Sequence, residues 1–177
     1  NRQLLHHTGD VGETKAESAR KKLQSLNPHC RVEALHDAIS EDNGDLLVGD
    51  AHVIVDGTDN LETRKILNRV SLKKGIPFVF GGVDGLTGMA TTFIPGKTPC
   101  FECLFPEGTP DKGPPGVLGP LPGIIGSLQA LAVINFLVGV PHGLLMSRML
   151  YVDGANMNFK MIEMGRNSRC RVCGADL

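Results

Sequence analysis

The chain contains no tryptophan, one tyrosine and only 5% aromatic residues. A single-strand nucleic-acid platform built on base stacking is therefore excluded. Excess charge is missing too: 18 Lys and Arg stand against 19 Asp and Glu, for a formal charge of −1 and a pI near 6.6. That balance gives no electrostatic case for binding nucleic acid or an anionic membrane surface. The first residues, Asn1-Arg2-Gln3-Leu4-Leu5-His6-His7, contain no apolar core segment of a signal peptide. A reducing, cytoplasmic setting follows most simply. The six histidines, His6, His7, His29, His36, His52 and His142, show no metal-ligand spacing and read as ordinary surface or core residues. The chain opens on Asn rather than Met, so we expect the start of the gene product to lie upstream of it.

What is present is enough for one well-buried domain: 177 residues, 41% of them hydrophobic. Four of the 5 cysteines form two Cys-x-x-Cys pairs, Cys100-Phe101-Glu102-Cys103 and Cys170-Arg171-Val172-Cys173. That spacing lets one turn of chain present two thiolates to one tetrahedral metal, and we read the four as a closed zinc site that holds structure without activating water. A redox dithiol, or two disulfides in an oxidising compartment, are the alternatives. The long interval between the pairs would make the site a clamp between distant parts of the chain. Cys30, outside both pairs, reads as a small, partly buried thiol.

Hydrophobic periodicity supplies the coarse structure. Thr14-Lys15-Ala16-Glu17 has the capping-box pattern, and Ala16, Ala19, Leu23 and Leu26 form an apolar stripe, predicting a helix that Asn27-Pro28 stops. Arg31 to Ile39 reads as a weak strand, and 41–50 as a loop with one helical turn. Ala51 to Val55 is a β-branched run ending in Asp56-Gly57-Thr58-Asp59-Asn60. A helix follows, capped by Asp59 or Asn60, with Glu62 at the capping-box acid and Ile66, Leu67 and Val70 buried. Phe78-Val79-Phe80 then begins a strand, so this is a strand–helix–strand unit with a parallel sheet, and ligands are expected beyond the strand ends, near Asp56 and Asp59. Val83 to Ile94 predicts strand pieces joined by a turn, and 104–122, rich in Pro and Gly, a mobile loop. Gly123 to Val140 is the most apolar segment. Ser127, Gln129 and Asn135 interrupt it, so a helix buried in a soluble core is expected there rather than a membrane span. Arg148 to Val152 and Asn158 to Met164 read as two antiparallel strands turning around Asp153 to Asn156, and the second cysteine pair follows them.

Seven features, taken in order, resemble the E1-like activating enzymes of the ThiF/MoeB/HesA family. They are Asn1-Arg2-Gln3; Asp10-Val11-Gly12 with Lys15-Ala16-Glu17; Asp56-Gly57-Thr58-Asp59-Asn60; Pro99-Cys100-Phe101-Glu102-Cys103-Leu104; Gly116-Val117-Leu118-Gly119-Pro120; Gly126-Ser127-Leu128-Gln129-Ala130; and Cys170-Arg171-Val172-Cys173-Gly174. The resemblance implies an α/β fold, a Rossmann-like sheet flanked by helices, with an antiparallel C-terminal extension and a structural zinc site. It makes 1–177 a single ThiF-type domain lacking its N-terminal part, 104–122 a crossover loop, and 100–103 with 170–173 a zinc staple.

It also implies a reaction: ATP-dependent adenylation of the C-terminal carboxylate of a small ubiquitin-like or sulfur-carrier protein ending in Gly-Gly, releasing pyrophosphate. Arg2 would bind phosphate through its planar fork. Lys15, at a helix opening, would add charge where the dipole already favours anions. Asp59 would hold Mg²⁺ bridged to the nucleotide phosphates, and Asn60 and Gln3 would orient the nucleotide or carboxylate. No general base is needed, because a carboxylate is already ionised at neutral pH. The family further implies a homodimer.

Two departures stand out. The glycine-rich nucleotide loop of the relatives would precede Asn1, and the cysteine that many relatives carry on the crossover loop has no counterpart near Lys112. The second departure favours adenylation followed by transfer to an external sulfur donor. The first leaves a competing reading, a non-catalytic zinc-stapled module that docks a partner with an incomplete ATP site. A dinucleotide-dependent oxidoreductase is a third reading without a residue signal of its own.

Overall fold

In the computed structural model the structure describes residues 5–110, 116–140 and 145–174. A five-stranded mixed sheet is the frame, with spatial order β1 (Ile54–Val55), β2 (Phe78–Asp84), β3 (Thr87–Phe93), β4 (Arg148–Asp153), β5 (Asn158–Glu163). Only β1 and β2 run parallel; each later neighbour is antiparallel. Among the described residues the parallel, Rossmann-like character is thus confined to one pair, and the antiparallel part begins earlier than the C-terminal extension expected from the sequence. The physical reason lies in the connections. A helix joins Val55 to Phe78 and brings the chain back to a parallel start, whereas two-residue and four-residue turns join β2 to β3 and β4 to β5 and make those pairs antiparallel; the long connection from Phe93 to Arg148 also carries helices.

Helix α1 (Lys15–Leu26) starts as its pattern predicts, with the Thr14 hydroxyl accepting from Glu17 N at 3.3 Å. Its apolar stripe is less covered than expected: Leu23 and Leu26 are exposed. The Arg31 to Ile39 run forms no strand. No described strand lies beside it to share a ladder, and most of its side chains face solvent. Cys30 is exposed rather than partly buried. The short helix α2 (Gly44–Val48) is the single turn expected in 41–50.

Helix α3 (Leu61–Lys74) crosses between β1 and β2, burying Ile66, Leu67 and Val70 as anticipated, and ends at Gly75. Five of the 7 phenylalanines, Phe78, Phe80, Phe93, Phe101 and Phe105, pack together, with ring centroids 4.7 to 6.3 Å apart. The scarce aromatics are therefore spent on the core, where such pairs add about 0.5–1.5 kcal/mol each beyond the area they bury. The short helix α4 (Phe101–Leu104) sits on this cluster and carries the first cysteine pair.

Helix α5 runs Pro120–Leu137, so Pro120-Leu121-Pro122, assigned to the loop from composition, belongs to its first turn, where proline is well tolerated. It packs across β2 and β3. Contrary to the expectation of a buried helix, only a stripe of Leu121, Ile125, Gln129 and Ala132 is buried, while Ile124, Leu131, Ile134 and Leu137 on the remaining surface are exposed. A helix on one face of a sheet can bury only one side. Among the described residues α5 alone is long and apolar enough to cross a membrane, and the polar Gln129 lies on its protein-facing stripe.

Candidate nucleotide loop and cysteine cluster

The turn from β1 into α3 is built by hydrogen bonds that sort its two carboxylates into different roles. Asn60 is the N-cap of α3, its Oδ1 accepting from Thr63 N at 2.8 Å. Thr63, not Glu62, stands at the third helical position, so Glu62 complements the helix dipole in the first turn without closing a capping box. Because Asn60 caps the helix, Asp59 is released from that duty. Asp59 is exposed, and among the described residues its carboxylate has no hydrogen-bond or ion-pair partner.

Asp56 is the opposite case. It is 2% exposed, and its Oδ1 accepts from Thr58 N at 2.8 Å and from the Thr58 hydroxyl at 2.7 Å. Its Oδ2 accepts from Arg64 Nε at 2.8 Å. Arg64 then donates from Nη2 to Thr58 O at 2.6 Å and Gly81 O at 3.2 Å, with its guanidinium 5.2 Å from the centre of the Phe80 ring. From α5, Gln129 Nε2 donates to Asp56 O at 2.8 Å and Val79 O at 3.1 Å. Gly81 makes room for this: a Cβ there would lie 2.5 Å from the Gln129 amide. Sequence reading missed both Arg64 and Gln129. The available signals were a lone polar residue on the apolar stripe of α5, and an arginine one helical turn after the Asn60 cap.

Lys15 is exposed at the opening of α1. No hydrogen bond or ion pair joins it to Asp59 among the described residues, while Arg2 and Gln3 lie outside them.

At the other end of α3 the four cysteines converge. The Sγ atoms of Cys100, Cys103, Cys170 and Cys173 all lie within 4.8 Å of one another, with separations of 3.9 Å for Cys100–Cys103, 3.7 Å for Cys100–Cys170 and 3.3 Å for Cys103–Cys173. A tetrahedral ion with metal–sulfur bonds of about 2.3 Å requires sulfurs about 3.8 Å apart, so the donor set fits a metal. All four are free of disulfides. Burial, added to by its neighbours, pushes the Cys100 thiol well up, and burial likewise raises Cys103. For Cys173 burial also raises the value, but hydrogen bonds from the surrounding thiols, the backbone and Arg166 outweigh it and the net shift is downward. Unequal thiols crowded this closely are the arrangement that a divalent cation relieves.

The first pair is fixed to α3 by Glu102, which lies between its cysteines and is 6% exposed. Glu102 accepts from Arg69 Nε and Nη2, both at 3.1 Å, and from Asn68 Nδ2 at 3.3 Å. Asn68 Oδ1 in turn accepts from Phe101 N at 2.9 Å. A cavity of about 780 Å³ opens between α3 and the second cysteine pair. Its charges are largely satisfied: Arg69 pairs with Glu41 as well as Glu102, and Arg171 with Glu107.

Comparison with known proteins fits this geometry. The ThiF family model matches residues 1–172. The SAMP-activating enzyme E1 of Haloferax volcanii is 40% identical over 178 residues, covering 98% of this chain and 65% of that protein. The sulfur carrier protein adenylyltransferase of Thermus thermophilus is 37% identical over 184 residues, covering 98% of this chain and 68% of that one. This chain thus spans about two thirds of the length of these curated relatives. Among solved structures, Escherichia coli MccB crystallised with ATP superposes with a TM-score of 0.83 at 22% identity, covering 97% of this chain and 54% of MccB, and shares the fold. With its family model matched almost end to end and its site loop and cysteine cluster in place, the chain belongs to the ThiF family.

Proposed function

We propose that the protein containing this chain adenylates the C-terminal carboxylate of a small ubiquitin-like or sulfur-carrier protein ending in Gly-Gly, using ATP and releasing pyrophosphate. The observation that carries the reading is the division of labour in the Asp56–Asn60 turn. One carboxylate is locked inside and one is left exposed at the end of β1, in a chain 37% identical to a sulfur carrier protein adenylyltransferase. In this reading Asp59 is the hard-oxygen ligand for Mg²⁺ on the nucleotide phosphates, while Arg2 and Lys15 neutralise phosphate charge and Asn60 and Gln3 orient the nucleotide. The carrier carboxylate attacks the α-phosphorus, the bond to the bridging oxygen breaks, and pyrophosphate leaves with the electron pair. Positioning and charge neutralisation supply the rate.

The cysteine cluster is assigned a structural zinc, since four thiolates leave no open coordination position for water. The free state of all five cysteines supports a cytoplasmic, reducing setting. The exposed apolar face of α5 supports a homodimer. The absence of a cysteine between Cys103 and Cys170 supports release of the adenylate to an external sulfur donor, with 104–122 as the crossover loop. The test is ATP–pyrophosphate exchange by the full-length protein with and without a Gly-Gly-ended carrier. Exchange that appears only with the carrier is expected, and none with any such carrier would sink the reading.

A further inference from the structure

Asp56 and Asp59, three residues apart, are the two carboxylates that the sequence places at the ligand end of β1. Two adjacent carboxylates of this kind would share an incoming divalent ion, and the ion would sit wherever the pair held it. The structure removes that ambiguity. Arg64 takes Asp56 out of competition by neutralising its charge and occupying Oδ2, with the Arg64 side chain 14% and the Asp56 side chain 0% exposed. Thr58 fills Oδ1.

The same guanidinium ties down the main chain. Through Nη2 it holds Thr58 O, the carbonyl just before Asp59, and Gly81 O on β2. One rigid fork therefore binds a carboxylate, the loop backbone and the neighbouring strand together. A lysine ammonium is a single point of donation on a flexible stem and cannot span all three. A plain structural ion pair would not need this arrangement, because a buried pair is often matched in stability by well-packed apolar residues.

We propose that Arg64 is the positioning residue of the nucleotide loop: it fixes the backbone from Asp56 to Asp59 and so aims Asp59, whose carboxylate has no partner among the described residues, at the cation of a divalent metal–nucleoside triphosphate. This rests on the assignment of Asp59 to the metal made above. Arg64 touches neither ion nor nucleotide in this account and acts through Asp56 and Thr58.

The test compares Arg64→Lys with Arg69→Lys, which loosens the same helix at its cysteine end without reaching the loop. In the full-length protein, Arg64→Lys is expected to raise the half-saturating Mg²⁺ concentration for ATP–pyrophosphate exchange about 10-fold, the order expected when a hydrogen bond to a charged group is lost. The KM for the carrier is expected to stay unchanged, and Arg69→Lys to leave the Mg²⁺ dependence at its wild-type value. Independently of activity, amide hydrogen exchange at 57–60 is expected to speed up about 10-fold in Arg64→Lys, with β2 and α4 as protected as before. An unchanged Mg²⁺ dependence, or protection lost equally over β2 and α4, would reduce Arg64 to a structural residue and overturn the inference. If wild type shows no exchange activity at all, the adenylation reading fails by itself, and the amide exchange of the two variants still decides what Arg64 does to the loop.

Discussion

Gln129 offers a quantitative test of how α5 is coupled to the site loop. Its amide donates two hydrogen bonds across the helix–sheet interface, to Asp56 O and Val79 O. Gln129→Leu preserves the approximate volume and removes both. The two carbonyls are not equally affected: Val79 O keeps the ladder bond from Asp56 N at 2.9 Å, whereas Asp56 O loses the donor described here. One buried unsatisfied carbonyl costs about 1–3 kcal/mol, and the greater apolarity of leucine offsets part of that. A net loss of about 1–2 kcal/mol is expected, a Tm drop of roughly 2–8 °C for a chain of this size. The assay is thermal and urea unfolding monitored by circular dichroism, with Ala132→Ser on the same stripe as a control that leaves both carbonyls bonded. A Gln129→Leu variant as stable as wild type, or more so, would refute the claim that this amide holds the Asp56 backbone.

Further outcomes follow from the same geometry. Metal analysis of the protein should give about one zinc per chain, and Cys170→Ser should both lose the metal and lower stability sharply, because metal binding at such sites contributes directly to folding; a metal-free protein of full stability would contradict the staple. Leu131→Glu, at a position 55% exposed on α5, should turn the proposed homodimer into a monomer in sedimentation experiments, and an unchanged mass would place the interface elsewhere. Asp10 is held down to about 2 by the backbone N–H of His7 and by Lys22. Since its folded value lies below its unfolded one, the stability it contributes is present above pH of about 4 and disappears as pH falls toward about 2. Asp10→Asn should flatten the acid limb of the stability profile in that window.

The elements legible in the sequence were those with local causes. Thr14 and Glu17 announced the start of α1 within four residues, and Asn60 with Ile66, Leu67 and Val70 specified α3 and its buried face. The cysteine cluster was readable because ligand spacing is itself local, even though the pairs meet only through the fold. What remained hidden depended on distant partners. Arg64 gains its meaning from a carbonyl 17 residues away and Gln129 from one 73 residues away, and backbone acceptors carry no side-chain signature. The Arg31–Ile39 run misled because a weak local strand signal takes effect only where a neighbouring strand supplies a ladder. The apolar composition of α5 concealed that one stripe alone meets the sheet. Sequence patterning could not decide whether Asp59 is a cap or a ligand, and the Asn60 Oδ1 contact with Thr63 assigns the cap to Asn60.

Asp59 is proposed to carry the metal–nucleotide chemistry, with Asp56 as internal structure. The most direct measurement is carrier-dependent ATP–pyrophosphate exchange by the full-length protein with Asp59→Ala. A loss of at least about 100-fold in rate is expected, as for removal of a group that stabilises developing charge, with the unfolding temperature preserved because the side chain is exposed. Exchange at the wild-type rate in a folded Asp59→Ala protein would contradict it.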